Sequence, residues 1–259
     1  MAYTIDEAKK LIIKAGLELV EKKLIARTWG NISARISDDE FVITPSGVAY
    51  QDINENNLVV VKISDCSYTG NIKPSGEKKV HAMVYQTRPD VNFILHTHQN
   101  YATAVSVDGI HKDFAPVASY ALPGTKALVN NVRDVLISYK NVDTVLMARH
   151  GALIMSKNYE DAFTKAVILE NRAKKLYDSV ATSKDEKIES KPYLDDYAQM
   201  FGHSTKSVEE DEEAIRLVRE KNTLAARYQS KPKPMGYFDV SIQHLVYKKK
   251  YAKLKDKNK

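Results

Sequence analysis

Apolar residues at Ala8, Leu11, Ile12, Ala15, Leu19 and Val20 fall mostly three or four apart, the spacing that gathers one apolar stripe on a helix. This predicts a helix over Thr4 to Lys23. Thr4 and Glu7 open it with the T-x-x-E pattern, in which each side chain caps the other's backbone N–H. The period then shortens to two. Asn31 to Ile36 and Glu40 to Thr44 read as strands around an Asp38-Asp39 turn, and the second ends at Pro45-Ser46-Gly47. The β-branched run within Leu58 to Ile63 reads as a buried strand. Lys73-Pro74-Ser75-Gly76 turns the chain into a helix over Glu77 to Thr87, which Arg88-Pro89-Asp90 stops.

Further along, Val91 to Thr97 is a strand, and helix starts again near Asn100 to Ser106. After a loop with Pro116, Pro123 and Gly124, Thr125 to Asn131 reads as a short helix. Asp143 to Ala148 and Ala152 to Ser156 form a hairpin around Arg149-His150-Gly151. A long amphipathic helix follows over Tyr159 to Val180. Ala181 to Pro192 is a polar, lysine-rich linker; a last helix over Val208 to Tyr228 is broken by Lys231-Pro232-Lys233-Pro234. There is no internal repeat. This mixture of helices and strands predicts a layered α/β or α+β domain.

Two compositional facts narrow the class. The single cysteine, Cys66, excludes an internal disulfide, fits a reducing cytoplasm and reads as structural. The net charge of +6 resides in Lys248 to Lys259, which holds seven lysines and one aspartate, so the rest of the chain is neutral. Such a tail is a solvated segment and predicts neither a nucleic-acid nor a membrane partner. The first twenty residues lack the pattern of a secretion signal. No stretch approaches the ~18 uninterrupted apolar residues of a membrane span.

Candidate chemistry centres on histidine. His96 and His98 sit two apart at a strand end, so alternation places both imidazoles on one face. His150, in the hairpin turn, offers a third nitrogen; three histidines with an open position form a catalytic metal arrangement. Glu77 at a helix start is either an acid that complements the helix dipole or a carboxylate that ligates metal or carries a proton. Gly30-Asn31, Ser46-Gly47 and Ser75-Gly76 are three turns whose backbone N–H groups suit a phosphate, the last at a helix N-terminus. No P-loop or dinucleotide fingerprint is present.

Taken in order, Thr28-Trp29-Gly30-Asn31-Ile32-Ser33-Ala34-Arg35, Ile43-Thr44-Pro45-Ser46-Gly47, Pro74-Ser75-Gly76-Glu77 with His81, Arg88-Pro89-Asp90-Val91, His96-Thr97-His98 and His150-Gly151 resemble the class II aldolase/adducin family, on the side of its sugar-phosphate aldolases. The likeness spans roughly residues 5 to 180. It implies a three-layer αβα sandwich around a mainly antiparallel sheet. The class II aldolase-like catalytic domain would then occupy residues 1–185, with a C-terminal helical extension and basic tail over 186–259. It also implies a homotetramer with active sites at subunit interfaces and a zinc ion on His96, His98 and His150, with Glu77 as a displaceable fourth ligand and catalytic proton carrier. The substrate phosphate would sit at Gly30, Asn31, Ser46, Gly47, Ser75 and Gly76. His81, one turn after Glu77, looks like a supporting residue. The implied reaction is retro-aldol cleavage of a small phosphorylated sugar, a ketose 1-phosphate, to dihydroxyacetone phosphate and a short aldehyde, with the Glu77 carboxyl tuned nearer neutrality.

The match departs from the family in two places. Gly76 stands where its aldolases often carry a second serine. The stretch that supplies a tyrosine to protonate the leaving aldehyde corresponds to Asp108 to Phe114, which has no tyrosine. Within the family, 4-epimerases tend to carry aspartate at the position of Glu77, and a dehydratase acting on methylthioribulose 1-phosphate shares the site. A non-catalytic adducin-like scaffold would have lost metal ligands that this chain keeps. A cupin would place a glutamate shortly after its second histidine, and Asn100 to Thr103 contains none.

Overall fold

Alternation along the central strands sorts their side chains onto two faces, and both faces are buried. Ile32, Ala34, Phe93, Leu95, Ala152 and Ile154 enter one core, while Phe41, Ile43, Ile94, Leu153 and Met155 enter another. A sheet apolar on both sides must be covered on both sides. The computed structural model describes residues 2–25, 28–106 and 114–181 and has this form. Helices α1 (Ile5–Glu21), α3 (Asn100–Val105) and α5 (Tyr159–Ala181) cover the first face. Helices α2 (Lys78–Thr87) and α4 (Lys126–Ser138) cover the second. The result is the expected three-layer sandwich.

The sheet comprises β1 (Asn31–Arg35), β2 (Glu40–Ile43), β3 (Val59–Lys62), β4 (Phe93–Thr97), β5 (Val117–Ala118), β6 (Thr144–Met147) and β7 (Gly151–Ser156). They lie in the order β3-β2-β1-β4-β7-β6-β5. Every pairing is antiparallel except that of β5 with β6. The middle strand, β4, is flanked by β1 and β7, so the H-x-H segment ends at the centre of the sheet.

Local chemistry explains the ends of the elements. The Thr4–Glu7 capping box forms as expected at the start of α1. Asn158 accepts from the Asp161 N–H at 2.9 Å and caps α5. The start of α3 has no side-chain cap of its own; the Glu170 carboxylate of α5 accepts from the Tyr101 and Ala102 N–H groups at 2.9 and 3.0 Å.

Several elements differ from expectation. The Leu58–Ile63 run is an edge strand, not a fully buried one: β3 has a single neighbour, and Lys62 is exposed. Helix α4 runs on to Ser138, because Val132, Val135 and Leu136 extend the buried stripe begun by Leu128. Val91 stays outside β4, its N–H bonded to Arg88 O in the turn. The two-residue β5 and a short 3₁₀ turn at Tyr50–Asp52 are too brief to carry a period. The linker of Ala181 to Pro192 (apart from Ala181, which ends α5), the helix of Val208 to Tyr228 and the basic tail lie outside the described residues.

Helix α1 packs on the 3₁₀ turn through Gly16, where an added Cβ would come within 2.6 Å of the Tyr50 ring. Tyr50 is buried and its hydroxyl donates to Trp29 O, so the ring is held at both ends. Gly16→Ala gains about 1 kcal/mol of helix propensity against roughly 1–3 kcal/mol of overpacking. We expect a net loss of stability, read as a lower urea midpoint at unchanged slope.

Candidate metal centre

His96 lies on β4 opposite Asn31 of β1 and Leu153 of β7. Its parity with Ile94 aims the ring at the face covered by α2 and α4. His96 Nδ1 lies 3.0 Å from Ala152 O. A carbonyl only accepts, so Nδ1 carries a hydrogen and Nε2 is the nitrogen turned toward the other ligand candidates. His98 follows just past the strand end, its Nε2 at 2.8 Å from His96 Nε2. His150 arrives from the β6–β7 turn, held by its own N–H to Met147 O at 3.0 Å.

The backbone makes room for this convergence at two glycines. Gly30 has φ +78°, and a Cβ there would lie 2.4 Å from His96 O. A Cβ on Gly151 would lie 2.2 Å from Thr97 O and 3.1 Å from the His98 ring. No larger residue lets β1 and β7 close on β4 at these points. Arg149 takes a left-handed φ of +60° in the turn, and its N–H donates to Ser106 Oγ.

The ligand-capable nitrogens of His96, His98 and His150 all lie within 4.8 Å of one another, and all three residues are buried. The donor set fits a cation: imidazole nitrogens face each other closely, a contact that a shared positive ion satisfies. Glu77 completes the group. It stands at the N-cap of α2 without capping it. Its carboxylate instead lies 3.1 Å from His96 Nε2 and 3.3 Å from His150 Nε2 and accepts from Asn31 Nδ2 at 3.0 Å. Burial pushes the carboxyl up, but the charges of His150 and His96 and the hydrogen bonds from His96 and Asn31 outweigh it and hold Glu77 well below the usual carboxylate range. The value nearer neutrality that the resemblance implies belongs to the carboxyl displaced from the histidines.

The three glycine-bearing turns meet at the same end of the sheet. Pro45 and Pro74 form an isolated bridge, Ser46 N–H donates to Lys73 O at 2.9 Å, and Ser75 N–H donates to Thr44 O at 3.0 Å. Thr44 Oγ1 accepts from Ile32 N–H and joins these turns to Gly30-Asn31. Ser46, Gly47 and Gly76 are exposed and Ser75 is buried, its Oγ accepting from Glu77 N–H. The Asn31 amide lies on Glu77. Gly124, which the motifs did not mark, comes up beside the cradle: a Cβ there would lie 3.5 Å from Gly76 O. Trp29 is also added to the site, its ring 6.1 Å from that of His98.

Ser33 and Tyr85 were missed as well. His81 is fully buried, with Nδ1 on Ser33 Oγ at 2.6 Å and Nε2 on Asn31 Oδ1. Ser33 Oγ also meets Tyr85 OH at 2.8 Å. The signal for them is in β1, where polar Asn31, Ser33 and Arg35 alternate with apolar Ile32 and Ala34 on a strand buried on both faces. At the far end of these strands a groove of about 680 Å³ opens between Tyr3, Arg35, Asp90 and Asn92, away from the histidines.

Residues 10–177 match the family model for the class II aldolase and adducin N-terminal domain. The chain belongs to the class II aldolase/adducin family. An L-fuculose phosphate aldolase from Escherichia coli is 32% identical over 169 residues, covering 61% of this chain and 76% of the relative. A probable L-ribulose-5-phosphate 4-epimerase from Mycoplasma pneumoniae is 31% identical over 199 residues, covering 65% and 80%. A solved L-fuculose 1-phosphate aldolase superposes with a TM-score of 0.60 at 29% identity, covering 76% of this chain and 96% of that one. This family's named relatives are thus aldolases and epimerases of phosphorylated sugars. Among the described residues, no helix of this class II aldolase homologue is long and apolar enough to cross a membrane.

Burial, aided by positive charge at His96 and opposed by Glu77, lowers His81 from 6.5 to about 3. The fold holds this ring neutral, while the unfolded chain takes up a proton below 6.5. Unfolded protein therefore binds more protons between those values, so stability falls as pH drops through that window. We expect urea midpoints of metal-free protein to decline from pH 6.5 downward, and less steeply for His81→Gln. Equal slopes would mean that His81 is not held neutral.

Proposed function

We propose that this chain is a zinc-dependent aldehyde-lyase that cleaves a ketose 1-phosphate, of the L-fuculose 1-phosphate kind, to dihydroxyacetone phosphate and a short aldehyde. The observation that supports it most is the Glu77 carboxylate seated between His96 and His150 beside the three-turn anion cradle. Zinc on His96, His98 and His150, with Glu77 as a ligand that substrate displaces, would supply Lewis acidity to the carbonyl and neighbouring hydroxyl of the sugar.

The protein's own groups do the rest. Backbone N–H groups and hydroxyls at Gly30, Asn31, Ser46, Gly47, Ser75 and Gly76 bind the phosphate and so fix the sugar's position. Glu77 moves the proton at the carbon next to the carbonyl: in cleavage it delivers one there while the substrate hydroxyl that becomes the aldehyde gives one up, and in condensation it removes it. Seated on the histidines, Glu77 is held ionised. Displaced from them, it loses the charges that hold it down, and burial raises it toward the range useful for proton transfer. By family likeness the protein works as a homotetramer with sites between subunits, residues 1–185 forming the catalytic domain and 186–259 an extension. The single cysteine suits a reducing cytoplasm.

A 4-epimerase is the second reading, favoured by the Mycoplasma pneumoniae relative. Glutamate rather than aspartate at position 77 supports the aldolase. A panel of ketose 1-phosphates, L-fuculose 1-phosphate first, is expected to release dihydroxyacetone phosphate. Inversion of a pentulose 5-phosphate without release would replace cleavage by epimerisation.

His96→Ala is expected to lose most bound metal and nearly all turnover; full turnover in a metal-free variant would rule out the mechanism. Glu77→Gln should retain substantial metal while kcat falls by roughly 10²–10⁴-fold. Intact turnover in that variant would reduce Glu77 to an acid at a helix start.

A further inference from the structure

Behind Glu77 runs a line of buried polar groups that ligand binding does not need. Ser33 and His81 are fully buried and Tyr85 is 2% exposed. The direction of each hydrogen bond follows from the carboxylate end. An ionised carboxylate only accepts, so Asn31 turns Nδ2 toward Glu77 Oε2 at 3.0 Å. That leaves Oδ1, an acceptor, facing His81 Nε2, so Nε2 carries the ring hydrogen. Nδ1 of the neutral ring is then a lone pair, which Ser33 Oγ meets with its hydrogen at 2.6 Å. Ser33 in turn accepts from the Tyr85 hydroxyl at 2.8 Å. Burial pushes the Tyr85 phenol up, so it keeps its hydrogen.

The far end is anchored too. The Arg35 guanidinium lies over the Tyr85 ring at 4.7 Å and donates to Tyr85 O at 2.6 Å and to Val91 O at 3.1 Å. All four hydrogens, from Tyr85 to Asn31, therefore point toward Glu77. An amide can present either its N–H₂ or its carbonyl to a neighbour. Here only one orientation satisfies both sides, and reversing it would set a carbonyl against a carboxylate.

We propose that Ser33, His81 and Tyr85 are positioning residues that lock the Asn31 amide with its donor toward Glu77, so that the carboxylate meets a fixed N–H wherever it stands during turnover. Its hydrogen bonds reach Glu77 through the Asn31 amide. It rests on the reading of Glu77 as the proton carrier.

The test uses the full chain. Solid-state ¹⁵N NMR of ¹⁵N-histidine-labelled protein, with His81 assigned by its absence in His81→Gln, should show that ring purely as the Nε2–H tautomer, unchanged across the range where ordinary histidines titrate. An Nδ1–H tautomer or an imidazolium there overturns the proposal. His81→Gln keeps one donor and one acceptor; His81→Phe keeps neither. With L-fuculose 1-phosphate as substrate, His81→Phe should lower kcat roughly 10- to 100-fold, the range for a lost hydrogen bond to a charged group, with KM and metal content little changed. His81→Gln should recover most of that loss. Equal kcat for the two variants would overturn the positioning role. Should His81→Phe not fold, the tautomer and the His81→Gln rate still decide. Failure of the Glu77 reading appears separately, as intact turnover in Glu77→Gln with the His81 tautomer as expected.

Discussion

The centre of the molecule depends on how closely three backbones approach at the end of β4. Gly30 on one side and Gly151 on the other meet the carbonyls of His96 and Thr97 at distances that exclude any Cβ. That approach brings the two segments beside the ligand strand, so that Asn31 faces Glu77 and His150 faces His96. The ladder then supplies its own second contact, the bond from His96 Nδ1 to Ala152 O, which leaves one nitrogen for a cation. Sheet packing and site chemistry are thus one constraint. A change that pushed β7 away from β4 would misplace His150 and retune His96 together.

Much of this was legible in the chain. The two-residue spacing of His96 and His98, the hairpin that carries His150 and the helix that begins at Glu77 are local patterns, and local patterns survive folding. The capping box of Thr4 and Glu7 is the simplest case. What was not legible depends on distant pairing. Nothing near Val91 says that β4 lies between β1 and β7, strands whose residues stand some sixty positions apart on either side. The Pro45–Pro74 bridge that gathers two turns is non-local for the same reason.

Ser33 and Tyr85 illustrate a subtler loss. Each contributes one hydroxyl, and singly such groups look like ordinary half-buried strand and helix residues. Only the second buried face of β1, formed once α2 covers it, turns Asn31, Ser33 and Arg35 from surface residues into an interior polar row. Interior polar groups are costly unless satisfied. The row is satisfied from end to end, with Arg35 bonded to backbone carbonyls at one end and the Asn31 amide on Glu77 at the other. Helix α4 shows the reverse case. Its extra turns follow from Val132, Val135 and Leu136, a stripe present in the chain but interrupted by Asn130, Asn131, Arg133 and Asp134, none of which is buried.

Glu170 holds the first turn of α3 from across the layer, where most helices use a residue of their own. Two charge-assisted bonds therefore fasten α5 to the chain within a few residues of His98. Any displacement of α5 along its axis has to break them or drag the segment with it. The longest helix among the described residues is thus tethered to the segment that follows His98, and the two are placed together.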